Sequence, residues 1–428
     1  MKLGRSGWMR TVVTICVGTA AMAAAPIARA APANPYYVGG SMTFASYMKD
    51  RGYVYKENNV PTDPFLSLKN HGANIVRLED KFGPYENSYT PAGVPADWPK
   101  WSRVSADAKH AKAVGLNTFL TFTFNSLGDP QPLANTVPAE WANLTVAQLE
   151  QQVYNYTYSK LNELGQAGAL PKFVSIGNEV NGAFLAPAGS PTSYHVPSRD
   201  ARLMNAGYDA VRAVSQLYNA PIKTVAHIAG PDNVGWWMQQ YDGHLGDHVD
   251  VLALSYYPGW HSMNEWSSWK QLVDHLRTQY DKEMMVLETA ASWRTTGAGA
   301  YDNHTNIYQN PLQSTYDSAA QKQWLTNLSL DVINAGGLGA ITWGGDWTAA
   351  NSIVVYPDQY GPGSSWENNA FWDRNGNVHA GIDWAAAVHT ALPEPGSAVS
   401  VGIALAAVAS RRSRAGRGIG RLLSDRPL

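Results

Sequence analysis

Eight short apolar runs recur along the chain, and each is separated from the next by enough residues to form a helix. They are nearly continuous in Val, Ile, Leu and Phe, as expected of parallel strands that are covered on both faces. The runs span residues 36–40, 74–79, 117–124, 172–179, 223–230, 249–257, 283–290 and 338–345. This pattern predicts a regular alternation of strand and helix.

Stretches with helical periodicity lie between these runs. Residues 104–115, 144–168, 198–217 and 318–337 each carry apolar residues on one face, and Ser198 is the expected N-cap of the third stretch. The alternation predicts an α/β protein built as a single (β/α)8 TIM barrel. A doubly wound open sheet is the alternative, but no G-x-G-x-x-G follows the first run to suggest a nucleotide-binding sheet.

Both ends of the chain differ in composition from the body. Residues 1–30 place basic residues before an apolar stretch and end on Ala-Arg-Ala, which is typical of a secretory signal peptide. Residues 393–428 start with Pro-Glu-Pro, an apolar run and several arginines, and they resemble the Pro-Glu-Pro sorting segments of exported bacterial proteins. A disordered tail is the alternative. We therefore expect residues 31–392 to be an exported domain, extracellular or at the cell surface of a bacterium. Residues 393–428 would meet membrane or cell-surface sorting machinery.

The charge balance and the cysteine count exclude several classes of function. The whole chain has a net charge of −2, and since both terminal segments are basic, the body between them is acidic. An acidic body without basic runs argues against nucleic acid as a partner. The single cysteine is Cys16, inside the signal, so the body has no disulfide or cysteine-based metal site. No H-E-x-x-H motif suggests zinc, and we expect no required cofactor; residues 230–235 and 344–352 contain Asp and Asn that would suit calcium.

A carboxylic acid stands at the end of two of the apolar runs. Glu179 closes the run at 172–179 in the sequence FVSIGNEVNG, and Glu288 ends EMMVLE in the run at 283–290. In a (β/α)8 barrel the carboxyl ends of the strands line the active site. Two facing carboxyl groups can hydrolyse a glycosidic bond, with retention of configuration at about 5 Å and inversion at roughly 6.5–9.5 Å. A single such Glu is often a surface ion-pair partner, but two matched positions favour catalysis.

Several longer motifs resemble one family of enzymes. GNEVNG around Glu179 is similar to the acid/base motif of the retaining glycosidases that use (β/α)8 barrels. The stretches at 65–78, 228–241, 249–261 and 364–377, which include SYYPGWH and SSWENNAFWDRNGN, resemble glycoside hydrolase family 53, the arabinogalactan endo-β-1,4-galactanases. The resemblance covers most of the body. It implies a polysaccharide substrate with β-1,4-linked galactose.

The resemblance also implies roles for matching residues. Glu179 would be the acid/base and Glu288 the nucleophile of a double displacement. Asn178 would hydrogen-bond the sugar 2-hydroxyl, an interaction that strengthens in the transition state. Arg77 would lie beside Glu288 and keep it ionised, because a nearby cation favours the charged carboxylate.

Five further side chains are candidates for contacts in the cleft. Either Tyr256 or Tyr257 would hydrogen-bond Glu288, and strand alternation allows only one of the two to point inward. His227 and His261 are interpreted as sugar contacts or as satisfied structural histidines. Trp343, at the end of the last run, is the expected aromatic platform for a sugar ring.

Three loops depart from the family pattern. Residues 122–132 lack the expected His and Trp, residues 343–347 read WGGDW, and residues 79–89 lack the usual apolar and aromatic run. These departures leave two alternatives to galactan hydrolysis. The first is a retaining hydrolase of another β-glycan, and the second is an inactive carbohydrate-binding barrel, which the presence of both Glu179 and Glu288 disfavours.

Overall fold

A computed structural model describes residues 35–81, 100–124, 136–191, 194–295, 312–348 and 366–392. The expected signal peptide at 1–30 and the expected sorting segment at 393–428 lie outside the described residues. Most of the departing loops at 79–89 and 122–132 also lie outside them. The predictions that concern these segments therefore stay predictions.

Eight parallel strands close into a barrel in which each strand pairs with its neighbours in the chain and the last pairs with the first. The strands are β1 Tyr37–Ser41, β2 Ile75–Asp80, β3 Asn117–Phe122, β4 Phe173–Ile176, β5 Lys223–Ala229, β6 Val251–Ser255, β7 Glu283–Glu288 and β8 Gly339–Thr342. Every one of the eight apolar runs forms a barrel strand. The predicted (β/α)8 barrel is confirmed, and the open sheet is excluded because β1 and β8 are hydrogen-bonded to each other.

The described helices surround the barrel and follow the predicted periodic stretches. They are α1 Ala45–Asp50, α2 Pro64–Asn70, α3 Trp101–Ala113, α4 Val146–Gln166, α5 Pro197–Leu217, α6 Val234–Leu245, α7 Trp269–Tyr280, α8 Ser318–Asn334 and α9 Trp384–Ala391. A small hairpin joins Lys56–Glu57 to Val60–Pro61, and single 3₁₀ turns cover Ala139–Trp141, Pro231–Asn233, Gly246–His248 and Ala380–Asp383. Within the described ranges, none of the helices combines the length and apolarity needed to cross a bilayer.

Side-chain caps start four of the described helices, α2, α4, α7 and α8. Thr145 and Gln148 form a reciprocal capping box at the start of α4, and Asp317 accepts from a backbone N–H in the first turn of α8. The predicted N-cap at Ser198 is wrong. Helix α5 begins one residue earlier at Pro197, whose fixed φ suits a first helical position, and the preceding Val196 makes no side-chain cap.

Two hydrophobic layers hold the barrel. The larger lies between the strands and the helices. The smaller fills the barrel interior with inward-facing side chains from successive strands: Tyr37, Ile75, Phe119, Phe173, Val225, Val251, Ala253, Met285, Leu287, Leu338 and Ile341. Because strand side chains alternate between faces, the next inward positions toward the carboxyl end of each strand reach the mouth of the barrel. On β2, β3, β4, β5 and β6 those positions carry polar or charged residues.

Candidate active site

Strand alternation places one polar group after another at the barrel mouth. On β2, Ile75 fills the interior, so Arg77 and Glu79 are the next two inward residues. On β5 the interior residue Val225 is followed by His227, and on β6 Ala253 is followed by Ser255. All four polar residues are fully buried, with exposures of 0%. The floor of the barrel is therefore apolar, and its mouth is a buried polar network.

Glu288 reaches the interior because β7 contains an extra residue. The strand buries Met285 and Leu287 in the barrel, so strict alternation would turn Glu288 outward toward the helices. The register between β6 and β7 shifts at this point: Leu254 pairs with Val286, whereas Ser255 pairs with Glu288 and skips Leu287. A bulge of this kind re-aims a side chain at the end of a strand.

Glu179 lies in a tight turn just after β4. Gly177 and Glu179 both adopt a positive φ, of 87° and 48°. This conformation is unfavourable for a residue with a Cβ, by roughly 1–2 kcal/mol for the left-handed region. Hydrogen bonds to β5 hold the turn, from Val180 N–H to the carbonyl of His227 and between Asn181 and Ala229 in both directions. The strained backbone thereby directs the carboxyl group into the mouth.

The two candidate carboxyl groups face each other at short range. A side-chain oxygen of Glu179 and one of Glu288 lie within 4.8 Å of each other, and a ring nitrogen of His227 lies within the same distance of both. Glu179 is 8% exposed and Glu288 is 6% exposed. The separation agrees with the retaining arrangement of about 5 Å, and it leaves too little room for the water molecule that an inverting pair accommodates.

Arg77 organises the Glu288 side of the site. Its Nη1 donates to Glu288 Oε1, its Nη2 donates to Asn178 Oδ1 at 2.7 Å and to Glu79 Oε1 at 3.2 Å, and its Nε donates to Thr121 at 3.1 Å. Burial opposes the charge of Arg77, but Glu79 and Glu288 outweigh that effect and raise its pKa. The guanidinium is therefore a permanent cation in contact with Glu288, as expected from the sequence.

Glu179 has a different environment. Burial in the mouth and the negative charge of Glu288 raise the pKa of Glu179 to about 8. The one side-chain contact of its carboxyl group within the described residues is with Ser255, whose Oγ lies 2.5 Å from Oε1. Glu179 is therefore protonated at neutral pH, as a general acid must be.

His227 has the surroundings of a satisfied structural histidine, the second of its two interpretations from the sequence. The ring is fully buried, and burial together with Arg77 holds its pKa well below the usual value for histidine. Its Nδ1 lies 2.9 Å from Asn178 Oδ1 and its Nε2 lies 3.0 Å from Ser255 Oγ. Both ring nitrogens are occupied by protein groups.

The structure resolves the choice between the two adjacent tyrosines. The hydroxyl of Tyr257 donates to Glu288 Oε2 at 3.2 Å, and Tyr257 follows Ser255 on the inward face of β6. Tyr256 points the other way, and its ring meets Trp269 of α7 edge-on at 5.0 Å. Tyr256 contacts Glu288 through its backbone N–H alone, so Tyr257 is the one member of the pair that reaches the carboxylate.

Asn178 and His261 present polar groups toward the same opening. Oδ1 of Asn178 accepts from Arg77, and none of the hydrogen bonds among the described residues involves its Nδ2. Nδ1 of His261 accepts from the backbone N–H of Tyr257 at 3.1 Å, so the ring hydrogen is on Nε2. Asn178 thus keeps a donor available for a ligand.

Trp343 lies at the mouth next to two cations. Its ring centroid is 5.4 Å from the Arg77 guanidinium and 4.7 Å from the Lys81 ammonium. Lys81 also donates to Glu79 Oε1 at 3.1 Å. Glu79, Lys81 and Ser255 are site residues that were not expected from the sequence. A signal was present, since Glu79 at the end of β2 and Lys81 just after it follow Arg77 at intervals of two, and Ser255 precedes Tyr257 at the same interval.

The cluster of Glu179, His227 and Glu288 also has a spacing that could accept a metal ion. Both nitrogens of His227 are already hydrogen-bonded, and Arg77 supplies the positive charge next to Glu288.

One of the two segments that would suit calcium is described in part. Its Asp346 is buried, accepts from the backbone N–H of Phe44, and has its pKa raised by burial to about 8. A neutral carboxyl group is a poor calcium ligand. Calcium binding stays an untested prediction.

The fold and the site together define a class of protein. A closed (β/α)8 barrel positions two buried carboxyl groups within 4.8 Å at its mouth, and one of them contacts an arginine while the other is held neutral. This is the arrangement of a glycoside hydrolase that acts through a carboxyl pair.

Comparison with known proteins identifies the family. Residues 37–384 match the family model described as glycosyl hydrolase family 53, and the chain belongs to this family. It is 32% identical to an arabinogalactan endo-β-1,4-galactanase of Cellvibrio japonicus, over 82% of this chain and 92% of that protein. It is 29% identical to arabinogalactan endo-β-1,4-galactanase A of Emericella nidulans, over 79% of this chain and 90% of that protein. The chain is therefore a glycoside hydrolase.

A solved structure supports the same assignment. The family 53 catalytic domain of Ignisphaera aggregans superposes with a TM-score of 0.71 at 28% sequence identity, covering 85% of this chain and 99% of that domain. The family resemblance read from the sequence motifs is thus confirmed over the whole barrel.

Proposed function

We propose that this protein is a retaining endo-β-1,4-galactanase in which Glu179 is the acid/base and Glu288 the nucleophile. The observation that carries the proposal is the asymmetry of the carboxyl pair. Two groups within 4.8 Å of each other differ in that Arg77 and Tyr257 donate to Glu288, whereas Glu179 is held protonated by burial and by the charge of Glu288.

In the first step, Glu288 attacks the anomeric carbon and forms a covalent glycosyl-enzyme. At the same time the bond to the leaving oxygen breaks, and that oxygen takes the proton of Glu179. Arg77 and Tyr257 hold the attacking carboxylate in position. The Nδ2–H of Asn178 is available to the 2-hydroxyl of the bound sugar, because Oδ1 is the atom that faces Arg77, and this hydrogen bond strengthens as the transition state forms.

In the second step, Glu179 acts as a base. Its carboxylate removes a proton from water while the water oxygen attacks the anomeric carbon, and Glu288 departs as the leaving group. Two inversions give a product with the original β configuration. A separation of no more than 4.8 Å between the two carboxyl groups supports this route.

The substrate assignment rests on the relatives that carry the name arabinogalactan endo-β-1,4-galactanase. The charged residues Glu79 and Lys81, close to Trp343, motivate a second candidate, a different β-glycan, because the family pattern has apolar and aromatic residues in that segment. Trp343 and His261 are proposed sugar contacts in either case.

Product analysis with debranched β-1,4-galactan tests both the substrate and the mechanism. We expect short galacto-oligosaccharides whose new reducing ends appear first as the β anomer in ¹H NMR. First appearance of the α anomer would overturn the double displacement. A folded protein that releases no reducing ends from galactan but does so from β-1,4-mannan, β-1,4-glucan or β-1,4-xylan would overturn the substrate and keep the mechanism.

Azide rescue separates the roles of the two acids. With a dinitrophenyl β-galactobioside, which needs no acid to leave, Glu179→Ala should form the covalent intermediate normally, and azide should then give the β-glycosyl azide. Glu288→Ala should instead give the α-glycosyl azide, since azide attacks directly in place of the nucleophile. The opposite pairing of variants and products would reverse the assignment.

Export is a separate proposal that rests on the compositions of residues 1–30 and 393–428. Cell fractionation of the full chain and of a chain ending at Leu392 tests it. Retention at the cell surface should be lost with the shortened chain. Equal release of both would contradict a role of the tail in sorting.

A further inference from the structure

A chain of hydrogen bonds leads to Glu179 through Asn178, His227 and Ser255. It begins at Arg77, which can only donate. Arg77 Nη2 lies 2.7 Å from Asn178, and a guanidinium has no acceptor. The atom of Asn178 that faces Arg77 is therefore the amide oxygen, which fixes the orientation of this side chain. The same oxygen lies 2.9 Å from Nδ1 of His227.

The orientation of Asn178 fixes the tautomer of His227. Because the amide oxygen is an acceptor, Nδ1 of His227 must carry the ring hydrogen. Burial and the charge of Arg77 keep this imidazole neutral, so Nε2 has a lone pair and no hydrogen. Nε2 is 3.0 Å from Ser255 Oγ, and a buried nitrogen of this kind requires a donor.

Ser255 has a single hydroxyl hydrogen to share between two neighbours. If that hydrogen goes to Nε2 of His227, then Ser255 Oγ can only accept from the Glu179 oxygen that lies 2.5 Å away. Acceptance requires a hydrogen on Glu179 Oε1. All the hydrogen bonds from Arg77 to Glu179 are thus satisfied together in one protonation state, the one in which Glu179 is a carboxylic acid.

We propose that His227 and Ser255 are positioning residues that hold Glu179 in its carboxylic-acid form in the free enzyme. The proposal rests on the proposed function, because it concerns the acid/base of that reaction. It adds an effect that burial alone does not provide, because ionisation of Glu179 leaves Nε2 of His227 buried without a hydrogen-bond donor.

Ionisation of Glu179 leaves too few hydrogen-bond donors for the acceptors in this chain. When the Glu179 carboxyl group turns its O–H to the glycosidic oxygen and gives up the proton, Ser255 can rotate and donate to the new carboxylate. Nε2 of His227 then loses its donor, and no other donor to it exists among the described residues. When water returns a proton to Glu179 in the second step, the original arrangement is restored.

Other charged and titratable groups surround this chain and also influence Glu179 and His227. They come from the ends of β2, β6 and β7: Arg77, Glu79, Lys81, Tyr257, His261 and Glu288. A test must leave all of these in place. Substitutions of His227 and Ser255 meet that condition, since neither residue carries a charge in the proposed state.

The pH dependence of kcat/KM distinguishes the relay from simple burial. His227→Leu removes the competing acceptor, so Ser255 becomes free to donate to the Glu179 carboxylate, and the basic limb of the profile should move down by about one pH unit. Ser255→Ala removes both the acceptor of the Glu179 O–H and the donor that could turn to its carboxylate, so the two effects oppose each other and the limb should move less than in His227→Leu. An unchanged or raised limb in His227→Leu, or a downward shift in Ser255→Ala as large as that in His227→Leu, would overturn the proposal.

A measurement on the unsubstituted protein covers the case in which His227→Leu fails to fold. Two-bond ¹H–¹⁵N NMR should show one histidine whose Nδ1 alone is protonated and whose Nε2 shift changes as Glu179 titrates. In Glu179→Gln, whose amide N–H mimics the carboxylic acid, the same Nε2 shift should be independent of pH. An Nε2–H tautomer would refute the relay even if the protein hydrolyses galactan, and inactivity with the expected tautomer would refute the proposed function alone.

Discussion

Glu179 and Glu288 are the same residue type at nearly the same depth, yet their surroundings differ in kind. Arg77 and Tyr257 donate to the two oxygens of Glu288. Glu179 contacts the hydroxyl of Ser255 through one oxygen, in the part of the chain that the structure describes. Their exposures of 6% and 8% are too similar to explain the contrast.

The difference shows that placement of the cation and of the donors assigns the two roles. A buried carboxyl group avoids ionisation unless a partner compensates the loss of water. Arg77 makes a direct contact with Glu288 and reaches Asn178 with its other nitrogen, but it does not contact Glu179. The negative charge of Glu288 then adds to the penalty for ionising its neighbour. One arginine therefore separates the behaviour of two otherwise similar acids.

Removing the nucleophile should have the largest effect. For Glu288→Gln we expect kcat on galactan to fall by at least about 10⁴-fold, since the covalent route is lost while binding is kept. Glu283→Gln is a matched control at the opposite end of the same strand, where Glu283 pairs with Lys223 outside the mouth. A control variant that lost activity equally would show that β7 is merely sensitive to substitution.

Removing the buried cation Arg77 should lower the free energy of unfolding by more than removing an exposed one. Arg77→Met leaves Glu288 buried without its cation and Glu79 with Lys81 alone, and the loss of a buried partner destabilises a protein by about 3–5 kcal/mol. Arg202→Met is the matched surface control, because Arg202 is 59% exposed where it pairs with Glu150 and such exposed pairs contribute about 0–1 kcal/mol. Urea unfolding of both variants measures the difference. Similar values for the two would mean that Arg77 contributes no more to stability than an exposed cation does.

The sequence predicts the barrel well because parallel strands covered on both faces must be apolar throughout. All eight runs become strands, and the two strand-end acids meet at the mouth. The N-cap of α5 is mispredicted because Pro197 begins the helix ahead of Ser198. The spacing of apolar positions locates a helix or strand but does not fix its terminal residues.

The site is harder to predict because it depends on hydrogen-bond partners rather than on residue types. The inward direction of Glu288 requires a bulge that skips Leu287, and no composition signal marks it. The sequence shows a histidine on β5, but it cannot show that both nitrogens of His227 are used by Asn178 and Ser255. Strand alternation allows only one of Tyr256 and Tyr257 to face inward, but only the register of β6 in the barrel shows which one does.

The tyrosine pair allows a more delicate test of the Glu288 environment. Tyr257→Phe removes the hydroxyl that donates to Glu288 Oε2, and a hydrogen bond to a charged group contributes about 1.5–3 kcal/mol, so kcat should fall roughly 10- to 100-fold. Tyr256→Phe removes a hydroxyl on the helix-facing side and should change kcat less than about threefold. Equal effects on kcat would show that the hydroxyl of Tyr257 does not position the nucleophile.

The last prediction concerns Glu179 and the pH dependence of stability. Its pKa of about 8 in the folded protein lies above its ordinary value of 4.5, so the folded state binds the extra proton between these pH values. Stability from this group is therefore fully present below about pH 4.5, falls as pH rises at no more than about 1.4 kcal/mol per pH unit, and is lost above about pH 8. Asp346 has the same sign, since burial also raises its pKa to about 8.

The Glu179→Gln variant isolates the contribution of Glu179, because Asp346 titrates in both proteins and cancels in the difference. The free energy of unfolding of the wild type minus that of the variant should decline between pH 5 and 8, as measured by urea unfolding at several pH values. A difference that stays flat across this range would mean that Glu179 ionises as readily in the folded protein as in the unfolded chain. The contrast between the two acids would then have to arise only when substrate binds.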